Sequence, residues 1–219
     1  LGGATNISLS LGRKQKDEAE KYLGNGIGYG IVISLIIAIF VLLYMDKLVA
    51  VLGGSENTSR YTREYLWIVA YGFPATIIGY VANAAIRSDG NPKMSMVTLL
   101  IGAIINIVLD PIFIFGMDMG VSGAAWATII SQYISAFLVI KCLIKLPGSC
   151  KLILSQIKVH KEKLIPIIKI GIPAGVQGVL FSFSNVLIQS SVNSFGSQVM
   201  AGNTAAQNLE GFVYTALNS

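Results

Sequence analysis

The sequence contains few residues that carry charge or bind metals. Only 12% of its 219 residues are Asp, Glu, Lys or Arg, and it has one histidine and two cysteines. Soluble domains carry about 25% charged residues, so this composition does not fit an ordinary soluble protein. A zinc site needs about four ligands, which His160, Cys142 and Cys150 cannot supply by themselves. We therefore expect two reduced thiols and no organic or metal cofactor.

The sequence also lacks the short motifs of common enzymes. It has no GxSxG, HExxH or Walker motif, and the glycines at 24, 26, 28 and 30 contain no GxGxxG and follow no strand. Few aromatic residues lie among the lysine clusters, which argues against single-stranded nucleic acid as a partner. We expect neither an enzyme nor a nucleic-acid-binding protein.

Long apolar runs take the place of these features. The chain is 53% hydrophobic with a mean hydropathy of +0.67. Five runs have at least 20 residues, which at ~1.5 Å per residue cross a hydrocarbon core of ~30 Å. They predict an all-α polytopic membrane protein, a helical bundle whose spans are Leu23–Tyr44, Tyr61–Ile86, Met94–Phe115, Val121–Ile140 and Leu164–Val192.

The basic residues predict how the chain crosses the membrane. If the sides alternate from one span to the next, 13 of the 16 Lys and Arg residues fall on one side. This is the positive-inside pattern, so that side is cytoplasmic and the membrane is the plasma (inner) membrane. Met45–Arg60 then becomes an outside loop, Arg87–Lys93 a tight inside turn and Gly116–Gly120 a short outside turn. The net charge of +5 reflects topology and contact with anionic lipid.

A lysine-rich segment divides the chain. Residues 141–163 predict a cytoplasmic linker between two bundles, 1–140 and 164–219, and Leu152–Val159 predicts a short amphipathic helix at the inner interface. In the last bundle, Pro166 and Pro173 are two possible bending points of the helix. The alternative is that Pro166 only begins the helix and Pro173 makes a tolerated kink. Because Leu1–Gly12 resembles the end of a helix and the last residues a helix still under way, we expect a part of a longer protein.

Asp110 is the residue most suggestive of function, because it interrupts an apolar run long enough to cross a bilayer. A carboxylate at membrane depth is costly unless it neutralises or binds a partner. Asn106 lies one turn earlier on the same face, and Thr128 lies at a similar depth on the next, antiparallel helix. Their oxygens suit a hard cation such as Na⁺, and a desolvated carboxylate can carry a proton instead. The alternative is that Asp110 faces water beside Pro111 and Thr128 bonds its own helix.

A second set of polar residues lies in the last part of the chain. Gly178, Ser182, Asn185, Gln189 and Asn193 recur every three to four residues on an otherwise apolar helix. They predict either the lining of a water-filled substrate path or ordinary hydrogen bonds between helices. The predicted path consists of Gln177, Ser182, Asn185, Gln189, Asn203, Gln207 and Glu210.

Four segments in series resemble the multidrug and toxic compound extrusion (MATE) transporters of prokaryotes. They are Gly2–Lys14 (GGATNISLSLGRK), Arg87–Lys93 (RSDGNPK), Asn106–Pro111 (NIVLDP) and Gly120–Thr128 (GVSGAAWAT). Each segment is a weak signal by itself, whereas their order and spacing along nearly the whole chain are more specific.

The resemblance implies a twelve-helix fold with two lobes, a monomer that exports drugs or other small organic compounds in exchange for Na⁺ or H⁺. Residues 1–140 would be the N-lobe from the end of helix 2 to helix 6, and 164–219 would be helix 7 and part of helix 8. Asn106, Asp110 and Thr128 match family positions in a cation or proton site on helices 5 and 6. A fourth group of that site, an Asp on helix 1, lies outside this sequence.

In one respect the sequence departs from the family pattern. Some members carry a Glu on helix 7, where this chain has Gly178–Ser182 without an acid, so coupling through the N-lobe is favoured. Two alternatives stay open. One is a lipid-linked oligosaccharide flippase of the same superfamily, which would need a cationic cavity. The other is a membrane receptor or scaffold in which Asp110 is structural.

Overall fold

The structure is a computed structural model, and every regular element in the part of the chain that it describes is helical. It describes residues 2–51, 56–145, 150–158, 160–193, 199, 202–203 and 205–211. The α-helices are α1 (Gly2–Gly12), α2 (Lys16–Leu43), α3 (Met45–Val51), α4 (Glu56–Ser88), α5 (Pro92–Pro111), α6 (Gly120–Lys145) and α7 (Lys161–Asn193). A π-helical turn (Ile112–Gly116) extends α5, and a 3₁₀ turn (Leu154–Gln156) lies between α6 and α7.

Among the described residues, five helices are long and apolar enough to cross a membrane, which confirms the five predicted spans. Each has 25 to 30 residues, and they are Lys16–Leu43, Ser59–Ser88, Pro92–Gly116, Gly120–Lys145 and Lys161–Gln189. Large apolar side chains such as Ile36, Leu43 and Ile107 are exposed, whereas the amides of Asn25 and Asn83 are buried. Apolar exteriors with satisfied polar groups inside suit lipid as the surrounding solvent.

The turns at the helix ends are close to those predicted. Gly90 adopts a positive φ of 81° between α4 and α5, a conformation that glycine reaches without steric cost. Pro92 then occupies the first turn of α5, where its missing N–H costs nothing. Gly120, with a φ of 54°, begins α6, and only three residues separate it from the end of the π-helical turn. Because these connections are short, α5 runs antiparallel to α4, and α6 runs antiparallel to α5.

Leu1–Gly171 and Ile172–Ser219 form two compact units, divided within α7. The core of the first unit lies where the inner ends of several helices meet. Leu23 of α2, Ile86 of α4 and Leu143 of α6 are each at most 1% exposed and belong to one cluster with Ile7 of α1. A smaller cluster of Ile68, Ala125 and Ile129 joins α4 to α6 nearer their starts.

The outside loop predicted over Met45–Arg60 is wrong at both ends. Met45–Val51 form α3, and α4 begins at Glu56. Charged residues of this region pair on the helix surfaces, where Arg63 binds Asp46 and Arg60 binds Glu64 at 3.1 Å. Most of the turn predicted at residues 53–57 lies outside the described residues.

The amphipathic helix predicted over Leu152–Val159 is also wrong. Only Leu154–Gln156 are helical, as a single 3₁₀ turn, and Val159 lies outside the described residues. Leu152 is 5% exposed and belongs to the core cluster, and its N–H donates to the carbonyl of Leu143 at 3.2 Å. Leu152 therefore faces the protein core and Ile157 packs partly against it, whereas Ile153 and Leu154 are exposed.

The segment that replaces the predicted helix docks along the start of α2. We call residues 150–158 and 160 the docked linker. The side-chain amide of Asn25 donates to the carbonyl of His160 at 3.1 Å and accepts from the His160 N–H at 2.9 Å. Gly24 leaves room for the carbonyl of Gln156, because a Cβ at position 24 would overlap that oxygen. Next to the linker, Lys163 pairs with Glu18.

Candidate functional site

The predicted cation site lies where α5 packs against α6. A Cβ added to Gly102 of α5 would be 3.0 Å from the Cβ of Ser135 on α6. At the other end of the interface, a Cβ added to Gly123 would be 2.8 Å from the carbonyl of Phe113. Glycines at both points therefore allow the two backbones to approach closely. The two contacts also fix the antiparallel register of α5 and α6.

This register places Asp110 and Thr128 at nearly the same depth. Counting from either contact, the position on α6 that faces Asp110 is Trp126 or Ala127, one or two residues from Thr128. At 1.5 Å rise per residue the axial offset is ~1.5–3 Å. The arrangement agrees with the depth inferred from the outer turn, and both side chains are half-buried.

Asp110 pairs with Asn106 on its own helix. The amide nitrogen of Asn106 donates to Oδ1 of Asp110 at 3.3 Å. This contact leaves Oδ1 of Asn106 and Oδ2 of Asp110 without a hydrogen bond among the described residues. Asn106 and Asp110 thus share one face of α5, as their spacing predicted, and their role as ligands of a cation or proton stays a prediction.

The Thr128 hydroxyl bonds its own helix. It donates to the carbonyl of Ala124 at 2.9 Å, which was one of the two alternatives for this residue. The bond uses the proton of the hydroxyl and leaves its lone pairs, which are what a cation needs. No hydrogen bond joins Thr128 to Asp110 within the described residues, so a joint site of Asn106, Asp110 and Thr128 stays a prediction.

Pro111 does not break the helix beside Asp110. The α-helix continues through Pro111 and widens into the π-helical turn, in which the Met117 N–H donates to the carbonyl of Ile112 at 2.9 Å. Because proline lacks an N–H, the carbonyl of Ile107 loses its helical donor one turn before the proline. Single π-helical turns often occur at functional sites, and this one lies immediately after the carboxylate.

The sequence analysis missed two polar residues next to this site. Thr76 of α4 donates to Oε1 of Gln132 on α6 at 2.6 Å. Gln132 lies one turn beyond Thr128 on the same face of α6. That spacing was the signal available in the sequence.

The predicted substrate path lies in the second unit, where the structure pairs two of its seven residues. Asn203 donates to Oε1 of Gln189 at 3.5 Å, and both are half-buried. The other five residues are exposed, namely Gln177, Ser182, Asn185, Gln207 and Glu210. The pair agrees with hydrogen bonding between helices, and a path along all seven residues remains a prediction.

Cys142 and Cys150 are free thiols, and both are buried. They belong to the same core cluster as Leu23 and Leu143. Within the described residues, no group of three or more His, Cys, Asp or Glu side chains could hold a metal ion.

Comparison with known proteins shows the family. The sequence profile described as MatE matches residues 1–112, about half of the chain. The chain belongs to the MatE family. It is 32% identical over 201 residues to the multidrug export protein MepA of Staphylococcus aureus, covering 92% of this chain and 45% of MepA. The MatE chain described here thus spans about half the length of the curated relatives that it matches.

Solved structures of transporters have the same fold. A MATE crystal structure in the bent conformation has a TM-score of 0.83 at 25% identity, over 94% of this chain and 47% of the other. A transporter of the MOP superfamily from Pyrococcus furiosus has a TM-score of 0.85 at 24% identity, over 95% and 47%. For that transporter, reverse polarity of the binding pocket suggests a different function. Fold alone therefore does not decide the substrate of this MatE chain.

Proposed function

We propose that this MatE chain is part of a cation-coupled antiporter that exports drugs or other organic compounds by alternating access across the plasma membrane. Asp110 binds the coupling ion, Na⁺ or H⁺, with Asn106 and Thr128. Binding of the ion stabilises either the inward-facing or the outward-facing state, so that the ion and the substrate bind in alternation. The protein acts as a monomer.

The observation that carries this proposal is the position of Asp110. It is a half-buried carboxylate in a membrane-spanning helix, and it retains a free oxygen beside that of Asn106. Intramembrane carboxylates generally mark ion or proton pathways because their burial is costly. Support for export of organic compounds comes from the 32% identity to MepA, a multidrug export protein.

The test compares two Asp→Asn variants of the intact protein. Asp110→Asn removes the charge from the proposed site, whereas Asp118→Asn removes a charge from the exposed outer turn. In proteoliposomes with an imposed Na⁺ or pH gradient, we expect Asp110→Asn to lower ethidium efflux at least tenfold and Asp118→Asn to leave it unchanged. The gradient that drives the wild-type protein identifies the ion. Gradient-driven efflux by Asp110→Asn at the wild-type rate would exclude this carboxylate from coupling.

A further inference from the structure

A cavity lies between α4, α5 and α6 on the inner side of the Asp110 site. Its volume is about 140 Å³, room for about four waters at ~30 Å³ each. Its polar lining comes from Thr76, Asn83, Gln132 and Ser135. No charged side chain among the described residues lines it, so a resident ion would lack compensation there. Neutral water is the occupant that fits this chemistry.

Gln132 provides a hydrogen-bonding group that the described residues leave unused. The Thr76 hydroxyl has one proton but two acceptors within reach, the carbonyl of Gly72 at 3.0 Å and Oε1 of Gln132 at 2.6 Å. The amide nitrogen of Gln132 has no partner in the described part of the chain. A water in the cavity would accept from this nitrogen, and half-buried amides without a partner generally bind water.

Polar groups continue from the cavity to the inner ends of α4 and α5. Ser135 donates to the carbonyl of Thr98 at 3.1 Å. Asn83 donates to the Thr98 hydroxyl at 3.1 Å and to the carbonyl of Ser95 at 3.2 Å, and the Ser95 hydroxyl donates back to Asn83. Ser95 and Asn83 are 2% and 3% exposed. This buried network ends in the first turn of α5, next to the inside turn.

The same face of α5 links this network to Asp110. Ser95, Thr98, Gly102, Asn106 and Asp110 follow at steps of three or four residues and span ~22 Å of helix. Gly102 leaves the gap that a side chain of α6, Ser135, fills. Polar atoms are thus available at each turn between the carboxylate and the cytoplasmic end of the helix.

We propose that this cavity holds water that carries protons over part of the distance between Asp110 and the cytoplasmic side. The carboxylic acid of Asp110 gives its proton to a water, which leaves a carboxylate and hydronium, and the excess proton passes from water to water along Gln132 and Ser135. The role of Asp110 in this inference rests on the proposed function, whereas the water in the cavity does not.

The first test measures access of a small ion to the cavity from the cytoplasmic side. Ser135→Cys and the control Ser131→Cys are made in the intact protein with Cys142→Ala and Cys150→Ala. Ser131 is 5% exposed, does not line the cavity and bonds the carbonyl of Thr128 in its own helix. In inside-out vesicles, we expect Ag⁺ to block later maleimide labelling of Cys at 135 at least tenfold faster than at 131. Equal rates would overturn the proposal.

A second measurement uses the unmodified protein, in case the cysteine variants fail to insert. Hydroxyl-radical footprinting in liposomes labels side chains beside bound water. We expect Leu99, which lines the cavity and is 48% exposed, to be oxidised at least threefold more than Leu100, which is 49% exposed on the same helix and does not line the cavity. Similar oxidation of the two would indicate a dry cavity and would refute the water chain.

A transport measurement separates this inference from the proposed function. Gln132→Leu keeps the size of the side chain but removes the amide. In right-side-out vesicles, whose lumen is the cytoplasmic side, we expect Gln132→Leu to slow proton release into the lumen about tenfold and Ser131→Ala to leave it unchanged. If Asp110→Asn abolishes coupling but the residue at 135 is inaccessible to Ag⁺, the water chain is wrong and the function stands. If the residue at 135 reacts but Asp110→Asn still couples, the cavity is hydrated and the proposed function is wrong.

Discussion

Replacing Asn25 with alanine should release the docked linker from α2. Asn25 is fully buried and makes both hydrogen bonds that join α2 to the backbone of His160, at 3.1 and 2.9 Å. A net hydrogen bond contributes about 1 kcal/mol, so the loss of two costs about 2 kcal/mol. That free energy raises the population of the released linker roughly 30-fold.

The two native cysteines report this release separately. Cys150 belongs to the linker and is 1% exposed, whereas Cys142 lies in α6 and is 8% exposed. Two single-cysteine proteins, Cys142→Ala and Cys150→Ala, each carry Asn25 or its alanine variant. When the linker closes faster than a thiol reagent reacts, the labelling rate follows the open population. We expect maleimide to label Cys150 about 30-fold faster in Asn25→Ala, and Cys142 within twofold of its original rate.

The control variant is Asn6→Ala. Asn6 is also a buried asparagine, but its amide donates to the carbonyl of Gly2 within α1 at 2.8 Å, and among the described residues it makes no hydrogen bond to the linker. It should leave the labelling of Cys150 unchanged. An unchanged Cys150 rate in Asn25→Ala would refute the reasoning, and so would an equal increase at both cysteines, because this would indicate loss of the whole fold.

Three further outcomes follow from single sites. Gly24→Ala should also speed labelling of Cys150 by tenfold or more, because its methyl group would overlap the carbonyl of Gln156. Labelling at the original rate would contradict the contact of the linker with Gly24. Burial, aided by Asp89 and Glu20, raises the pKa of the Cys150 thiol from 9.0 to about 12. The docked state therefore favours the protonated thiol. Docking should keep its full strength below about pH 9 and weaken as the pH rises towards 12. Hydrogen exchange of the linker amides would measure this pH dependence, and Cys150→Ala should abolish it. Thr128→Val should lower the affinity for the coupling ion about tenfold and Thr128→Ser should restore it, as measured by the ion concentration at half-maximal efflux; equal affinities would remove the hydroxyl from the site.

The sequence correctly predicted that Asn106 and Asp110 share one helix face, because they lie one turn apart on a single helix. The partner on the next helix was harder to predict. The short outer turn gave the depth of Thr128, and the glycine contacts of α5 with α6 agree with that depth. The direction of its hydroxyl depends on the local backbone, to which it donates at Ala124, and no spacing rule reveals this choice.

The linker was predicted wrongly because its apolar residues have two possible partners. The apolar residues from Leu152 onward suit a helix on a lipid surface, and an apolar side chain such as Leu152 equally suits burial in a protein core. The choice depends on whether a complementary surface exists elsewhere in the chain. That surface is the start of α2, which is 135 residues away from His160 in the sequence.

By itself, the sequence determined the number and approximate limits of the membrane spans, the tight turns and the family of the chain. These features depend on local requirements, namely apolar length, glycine and proline at turns, and short motifs. Only the tertiary structure decided the course of the linker, the contact of Thr76 with Gln132 and the cavity next to it. These features arise where residues distant in sequence meet, and their energy depends on the fit of both surfaces at once.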